Sequence, residues 1–126
     1  MKSHHTDSAP AAIGPYSQAI SVDGWLYTAG QIALDPTTGE MVEGGFEAQA
    51  VQVLANLRQV LASAGCSFAD VVKTTVYLRH MGDYLILNEV WADHFGDRPP
   101  ARAAVAVAEL PLHALVELDA WAYVGD

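Results

Sequence analysis

Arg102 is the residue of this chain hardest to explain as packing. It stands in Pro99-Pro100-Ala101-Arg102-Ala103-Ala104-Val105-Ala106-Val107, at the head of an apolar, strand-like run that two prolines cut off from what precedes it. A cation in such surroundings is costly unless it is paired and hydrogen-bonded. Its planar fork of N–H donors matches a carboxylate or a phosphate with two parallel bonds. Two readings are therefore open: an internal salt bridge to one of the chain's acids, or an anchor for an anionic small molecule on which other residues converge.

Three further side chains could join it. Glu117 lies near the middle of the last apolar run, Ala114–Val124, on the same parity as Asp119. Both acids could equally line a solvated strand face. Tyr16 follows the Gly14-Pro15 breaker, where its hydroxyl either enters a cleft or stays in water at a sheet edge. Asn88 lies between Leu87 and Val90, bordering a helix's apolar stripe, from where it reaches a ligand or simply bonds across to a sheet. The adjacent His4 and His5 have no further ligands at metal-binding spacing, and Asp93 and His94, one residue apart, do not share a helix face. No metal site is expected.

The elements that must position these residues follow from periodicity. The 126 residues make one domain, and 52% hydrophobic content is enough for a core. Residues 1–12 read as loose, 13–20 as extended, Asp23-Gly24 as a hairpin turn and Trp25–Ile32 as a second strand. Gly30 inside that strand pattern signals a bulge or a close approach by something else. From Phe46 to Ala64, apolar residues recur at three- and four-residue steps, giving an amphipathic helix that Gly65 stops. Val71–Leu78 is dense in β-branched residues and reads as a central strand. Asp83 is placed to cap a second helix, ending at Phe95 before Gly96, with Tyr84, Leu87, Val90, Trp91 and Phe95 as its stripe.

The order β-β-α-β-α-β-β gives one sheet with two helices on one face. The opposite face is expected to be apolar around Ala104, Ala106, Trp25 and Trp121, and a bare apolar face implies a partner. If the last two strands formed a simple hairpin, Arg102 would pair with Tyr123 and lie roughly 20 Å from Glu117 along the sheet. A different strand order or a second subunit would be needed to unite them.

The charge balance narrows the partners. Six basic against fifteen acidic side chains give −9, which disfavours nucleic acid and anionic membrane. The single Cys66 forms no internal disulfide and no thiolate zinc cluster. With neither a membrane-spanning apolar run nor a secretory leader, the chain is expected to be cytoplasmic.

Ala11–Ala19 (AAIGPYSQA), Ala29-Gly30-Gln31-Ile32, Val72–Leu78 (VKTTVYL), Asn88-Glu89-Val90, Pro100-Ala101-Arg102 and Leu115-Val116-Glu117 together resemble the RidA (YjgF/YER) family. The resemblance implies a chorismate-mutase-like α+β fold, three subunits joining their sheets into a central barrel, and the strand after the second helix lying beside 71–78. It also implies sites in clefts between subunits and hydrolysis of reactive enamines and imines, such as 2-aminoacrylate, to a 2-keto acid and ammonia without a cofactor. Arg102 then corresponds to the substrate-carboxylate arginine and Glu117 to the acid that positions water, while Tyr16 and Asn88 match pocket positions. Ala29 stands where the family often has serine, and Ala104 where many members have cysteine. Two other uses of the same fold remain open: a specialised deaminase of an aminomuconate-like intermediate, and a module that binds keto acids without turnover.

Overall fold

In a computed structural model, which describes residues 1–125, the chain forms one mixed six-stranded sheet and two helices. The strands are β1 (Lys2–His4), β2 (Ala19–Val22), β3 (Trp25–Thr28), β4 (Val71–Leu78), β5 (Ala101–Ala106) and β6 (Val116–Tyr123). The helices are α1 (Gly45–Ser63) and α2 (Tyr84–Phe95). Across the sheet the strands run β1-β2-β3-β6-β4-β5.

β4 is central because its β-branched run fits a strand paired on both sides. It is antiparallel to β6 and parallel to β5, with α2 as the crossover between β4 and β5. The hairpin between the last two strands therefore does not form. Arg102 is opposite Thr74, not Tyr123, and Glu117 is opposite Tyr77. The placement of β5 beside β4 is the one that the family resemblance implied.

Alternation along the strands divides the sheet into a helix side and an open side. Val116, Leu118, Ala120 and Ala122 of β6 and Thr74, Val76 and Leu78 of β4 are buried on the helix side. There they pack with Leu54, Leu57 and Leu61 of α1 and Leu87, Val90 and Trp91 of α2, so both helices cover the same face. One extra residue on β4, Val72, makes a bulge opposite β6 and restores this alternation below Val71. Ala104 and Ala106 pair with Val76 and Leu78 and so share the helix side, contrary to the expectation from sequence. Trp25 and Trp121 do lie on the open side, in tilted and edge-on contact with Tyr123 and Tyr27 at 4.8 and 5.2 Å. Trp121 is half exposed there.

Three boundaries depart from the sequence reading. The amino terminus is not loose, because β1 pairs with β2 from Lys2↔Ser21 to His4↔Ala19. Residues 13–18 lie before β2 rather than in it, and β3 stops at Thr28, leaving 29–34 as an irregular segment held by an isolated Gln31↔Leu118 bridge. At the start of α2, Asp83 occupies the N-cap position but its side chain makes no capping bond, since a short 3₁₀ turn over Met81–Asp83 leads into the helix.

Asn56, fully buried on α1, pins the irregular segment in place. Its side-chain amide donates to the Ile32 and Leu34 carbonyls at 3.0 Å each, and its Oδ1 accepts from Gln52. Removing the donor leaves the Leu34 carbonyl without this partner, whereas the Ile32 carbonyl keeps the Leu34 N–H at 2.9 Å. Asn56→Ala is expected to lower stability by about 1–3 kcal/mol, read as a lower urea midpoint with an unchanged slope.

Candidate functional site

The residues singled out from sequence form two groups on opposite sides of the sheet. Thr74 and Tyr77, which pair with Arg102 and Glu117, are three residues apart on β4, so they point to opposite faces. With β4 lying between β5 and β6, the two Cα atoms are roughly 14 Å apart, about 10 Å along and two strand spacings across. Within one chain Arg102 and Glu117 do not meet.

The first group surrounds Glu117. A cleft of about 350 Å³ is lined by Pro10, Ile13, Tyr16, Ala29, Gly30 and Glu117 among others. Glu117 is the second residue of β6, at the mouth of the strand rather than near its middle. The irregular 29–34 segment crosses it closely. A Cβ on Gly30 would overlap the Glu117 carboxylate, which explains the glycine that interrupts the strand pattern. Tyr16 is half exposed, and its hydroxyl accepts from the Ile13 backbone N–H at 3.3 Å, so the ring folds back as a wall of the cleft. Ala29 presents only a methyl group where a serine would present a hydroxyl.

Burial pushes the Glu117 carboxyl above its usual range, and the neighbouring Asp119 charge adds to this. Asp119 is raised by burial as well, with the Thr75 backbone, Lys73 and Tyr77 pulling the other way. Burial and these two acids likewise raise Tyr77. The open side thus carries an acid that holds its proton more tightly than a solvated glutamate, next to a cleft. A carboxyl beside a cleft is of the chemical type that serves as a general acid or base.

The second group surrounds Arg102, on the helix side at the sheet's edge. Its Nη2 donates to Asn88 Oδ1 at 2.7 Å and to the Tyr84 hydroxyl at 3.1 Å. The guanidinium lies 5.3 Å from the Tyr84 ring centre and 5.0 Å from that of Trp91. Among the described residues no carboxylate comes within 4.0 Å of it, so the internal salt bridge is not formed. Asn88 is thus a partner of Arg102, and Ala104, partly buried two residues along β5 on the same face, packs against the core beside it. The cradle consists of aromatic faces and an amide, which steady a cation without cancelling its charge.

Tyr84 and Trp91 are the members that sequence reasoning assigned only to packing. Positions 84, 88 and 91 are four and three apart, one face of a helix, so the polar Asn88 between two aromatics was the available signal. Among the described residues, no cluster of three His, Cys, Asp or Glu comes together to hold a metal. No helix among them is long and apolar enough to cross a membrane.

Comparison with known proteins shows what the chain as a whole is similar to. The family described as endoribonuclease L-PSP matches residues 6–124. A RutC family protein of Pyrococcus horikoshii is 51% identical over 94% of both chains. The 2-iminobutanoate/2-iminopropanoate deaminase of Mus musculus is 50% identical, over 95% of this chain and 89% of the mouse protein. The crystal structure of RidA from an Antarctic Psychrobacter superposes with a TM-score of 0.95 at 44% identity, covering 98% of this chain and all of that one. The chain belongs to the RidA (YjgF) family.

Glu117 retains its proton to higher pH in the folded chain than in the unfolded one. The folded state therefore binds more protons, and stability falls as pH rises from the ordinary carboxylate range through the raised value. Glu117→Gln removes that loss. Thermal melts are expected to show a higher midpoint for the variant at pH 7, with the gain shrinking below about pH 4, where the carboxyl is protonated in both states.

Proposed function

We propose that this protein is a hydrolytic deaminase of small carboxylate-bearing enamines and imines, converting them to a 2-keto acid and ammonia. The observation that carries the reading is Arg102. It is a positioned guanidinium whose charge no acid among the described residues neutralises, in a chain 50% identical to a named 2-iminobutanoate/2-iminopropanoate deaminase.

The site is composite. Arg102 and Asn88, with Ala104 beside them, supply the carboxylate half, while Glu117, Tyr16 and Ala29 of a second copy supply the water half. The separation of the two groups by the sheet supports this, as does the open side with Trp121 half exposed, which is suited to self-association in a chorismate-mutase-like trimer. Arg102 pins the substrate carboxylate, and Glu117 holds a water against the imine carbon. The water oxygen bonds to that carbon as the C=N π bond opens, and Glu117 takes a proton from the water and passes it to the nitrogen, giving a carbinolamine. Glu117 then relays the hydroxyl proton to the amine, the C–N bond breaks, and ammonia leaves as the C=O of the keto acid forms. The carbon is already electrophilic, so positioning and proton transfer suffice.

The endoribonuclease named in the family's description finds little support, because six bases against fifteen acids provide no electrostatic attraction for a polyanion. The net charge is compatible with one small anion at Arg102, since distant surface charges are screened. The reading places this activity in the cytoplasm, on products of amino-acid eliminations.

The test couples the protein to a threonine dehydratase and follows 2-oxobutanoate release with semicarbazide present to trap the imine. Acceleration is expected. Arg102→Lys should lower it roughly ten- to hundredfold, because a point charge replaces the fork of charge-assisted bonds. No acceleration at any protein concentration would exclude the deaminase reading. Sedimentation should give three times the 13.5 kDa of one chain, and a stable monomer would rule out the composite site.

A further inference from the structure

The hydrogen-bond pattern on Arg102 is unusual for a residue that is to grip a carboxylate. A guanidinium offers two bidentate forks, one across its end through Nη1 and Nη2, the other along its side through Nε and Nη2. Each fork needs one hydrogen of Nη2. Nη2, with two hydrogens, already faces two acceptors, Asn88 Oδ1 at 2.7 Å and the Tyr84 hydroxyl at 3.1 Å. Nη1 and Nε have no partner among the described residues.

A two-oxygen ligand can complete either fork only if one of the two bonds gives way. The two are unequal. Asn88 makes the shorter contact in a part-buried setting, whereas Tyr84 makes the longer one in an exposed setting. The Tyr84 hydroxyl is also a neutral acceptor, and a carboxylate oxygen on the same N–H is roughly twice as strong. Tyr84 is the first residue of α2, after the Met81-Gly82-Asp83 turn, and the Asp83 side chain does not cap the helix there. Little holds the hydroxyl except Arg102 itself.

We propose that the Tyr84 hydroxyl is a placeholder on the Arg102 fork, displaced when a carboxylate binds, so that Tyr84 sets the threshold for carboxylate recognition. The proposal rests on the reading of Arg102 as the carboxylate anchor. Tyr84 is a positioning residue in two respects: its ring steadies the guanidinium, and its hydroxyl keeps the charged fork satisfied while no ligand is present. The hydroxyl contact competes with the ligand, and the ring contact helps it.

Tyr84→Phe separates the two, since it keeps the ring and deletes the competitor. The experiment is calorimetric titration of 2-oxobutanoate, a non-reacting 2-oxo acid, into the wild type, Tyr84→Phe and Arg102→Lys, with 2-oxobutanamide as the uncharged control. Tyr84→Phe is expected to bind the acid about two- to tenfold more tightly, the range set by one lost neutral hydrogen bond. It should not bind the amide more tightly. Unchanged or weaker binding of the acid overturns the placeholder, and so does an equal gain for the amide, which would mark a change in packing. If Arg102→Lys keeps wild-type affinity, the carboxylate anchor itself is wrong and the placeholder goes with it. If Arg102→Lys binds weakly and Tyr84→Phe no more tightly than wild type, only the placeholder is lost.

Discussion

Everything about the candidate site follows from β4 being hydrogen-bonded along both edges. Its antiparallel ladder with β6 fixes where Glu117 stands, and its parallel ladder with β5 fixes where Arg102 stands. Register in a sheet is two-valued, so a shift of one residue on either side would send the side chain to the opposite face. The hydrophobic alternation of Val116, Leu118, Ala120 and Ala122 against the helices forbids such a shift in β6. Burial of Thr74, Val76 and Leu78 forbids it in β4. The core thus determines, through parity alone, that the cation and the acid lie on different sides.

The two groups of residues carry opposite charge in different surroundings. Arg102 is steadied by two aromatic faces, an amide and a hydroxyl, and so keeps its full charge available. Glu117 is shielded by the 29–34 segment and pressed by Asp119, and so holds its proton longer than an exposed acid would. Each arrangement has a drawback for stability: a cation with no counter-ion among the described residues, and two acids on adjacent same-face positions of one strand. Groups kept in such states are commonly functional, since simple packing would have neutralised them.

Much of the fold could be read from periodicity, and the failures have identifiable causes. The bounds of β4 were legible as Val71–Leu78 because β-branched residues fill it, and those of α1 and α2 to within about one residue because each ends at a glycine stop. β1 was not legible: Lys-Ser-His carries no apolar alternation, and only its pairing with β2 makes it a strand. Trp25–Ile32 reads as continuous, yet it breaks after Thr28, where Asn56 draws the Ile32 and Leu34 carbonyls toward α1. Tyr84 and Trp91 looked like ordinary stripe residues because an aromatic ring that stacks on a cation has the same helical spacing as one that packs in a core.

The sequence by itself singled out the residues proposed to carry chemistry. Arg102, Glu117, Tyr16 and Asn88 are identifiable by type, by setting and by the segments that contain them. Ala29 and Ala104 are identifiable as departures from a family pattern. Tertiary structure decided how they are distributed: Arg102 and Asn88 on the helix side, Glu117 and Tyr16 around a cleft of the open side, and Arg102 without an acid partner among the described residues. The reason is that strand order is a long-range property. Local periodicity specifies which side of its own strand a residue occupies, but not which strands will be neighbours, and it was the insertion of β4 between β5 and β6 that separated the candidate residues into two groups.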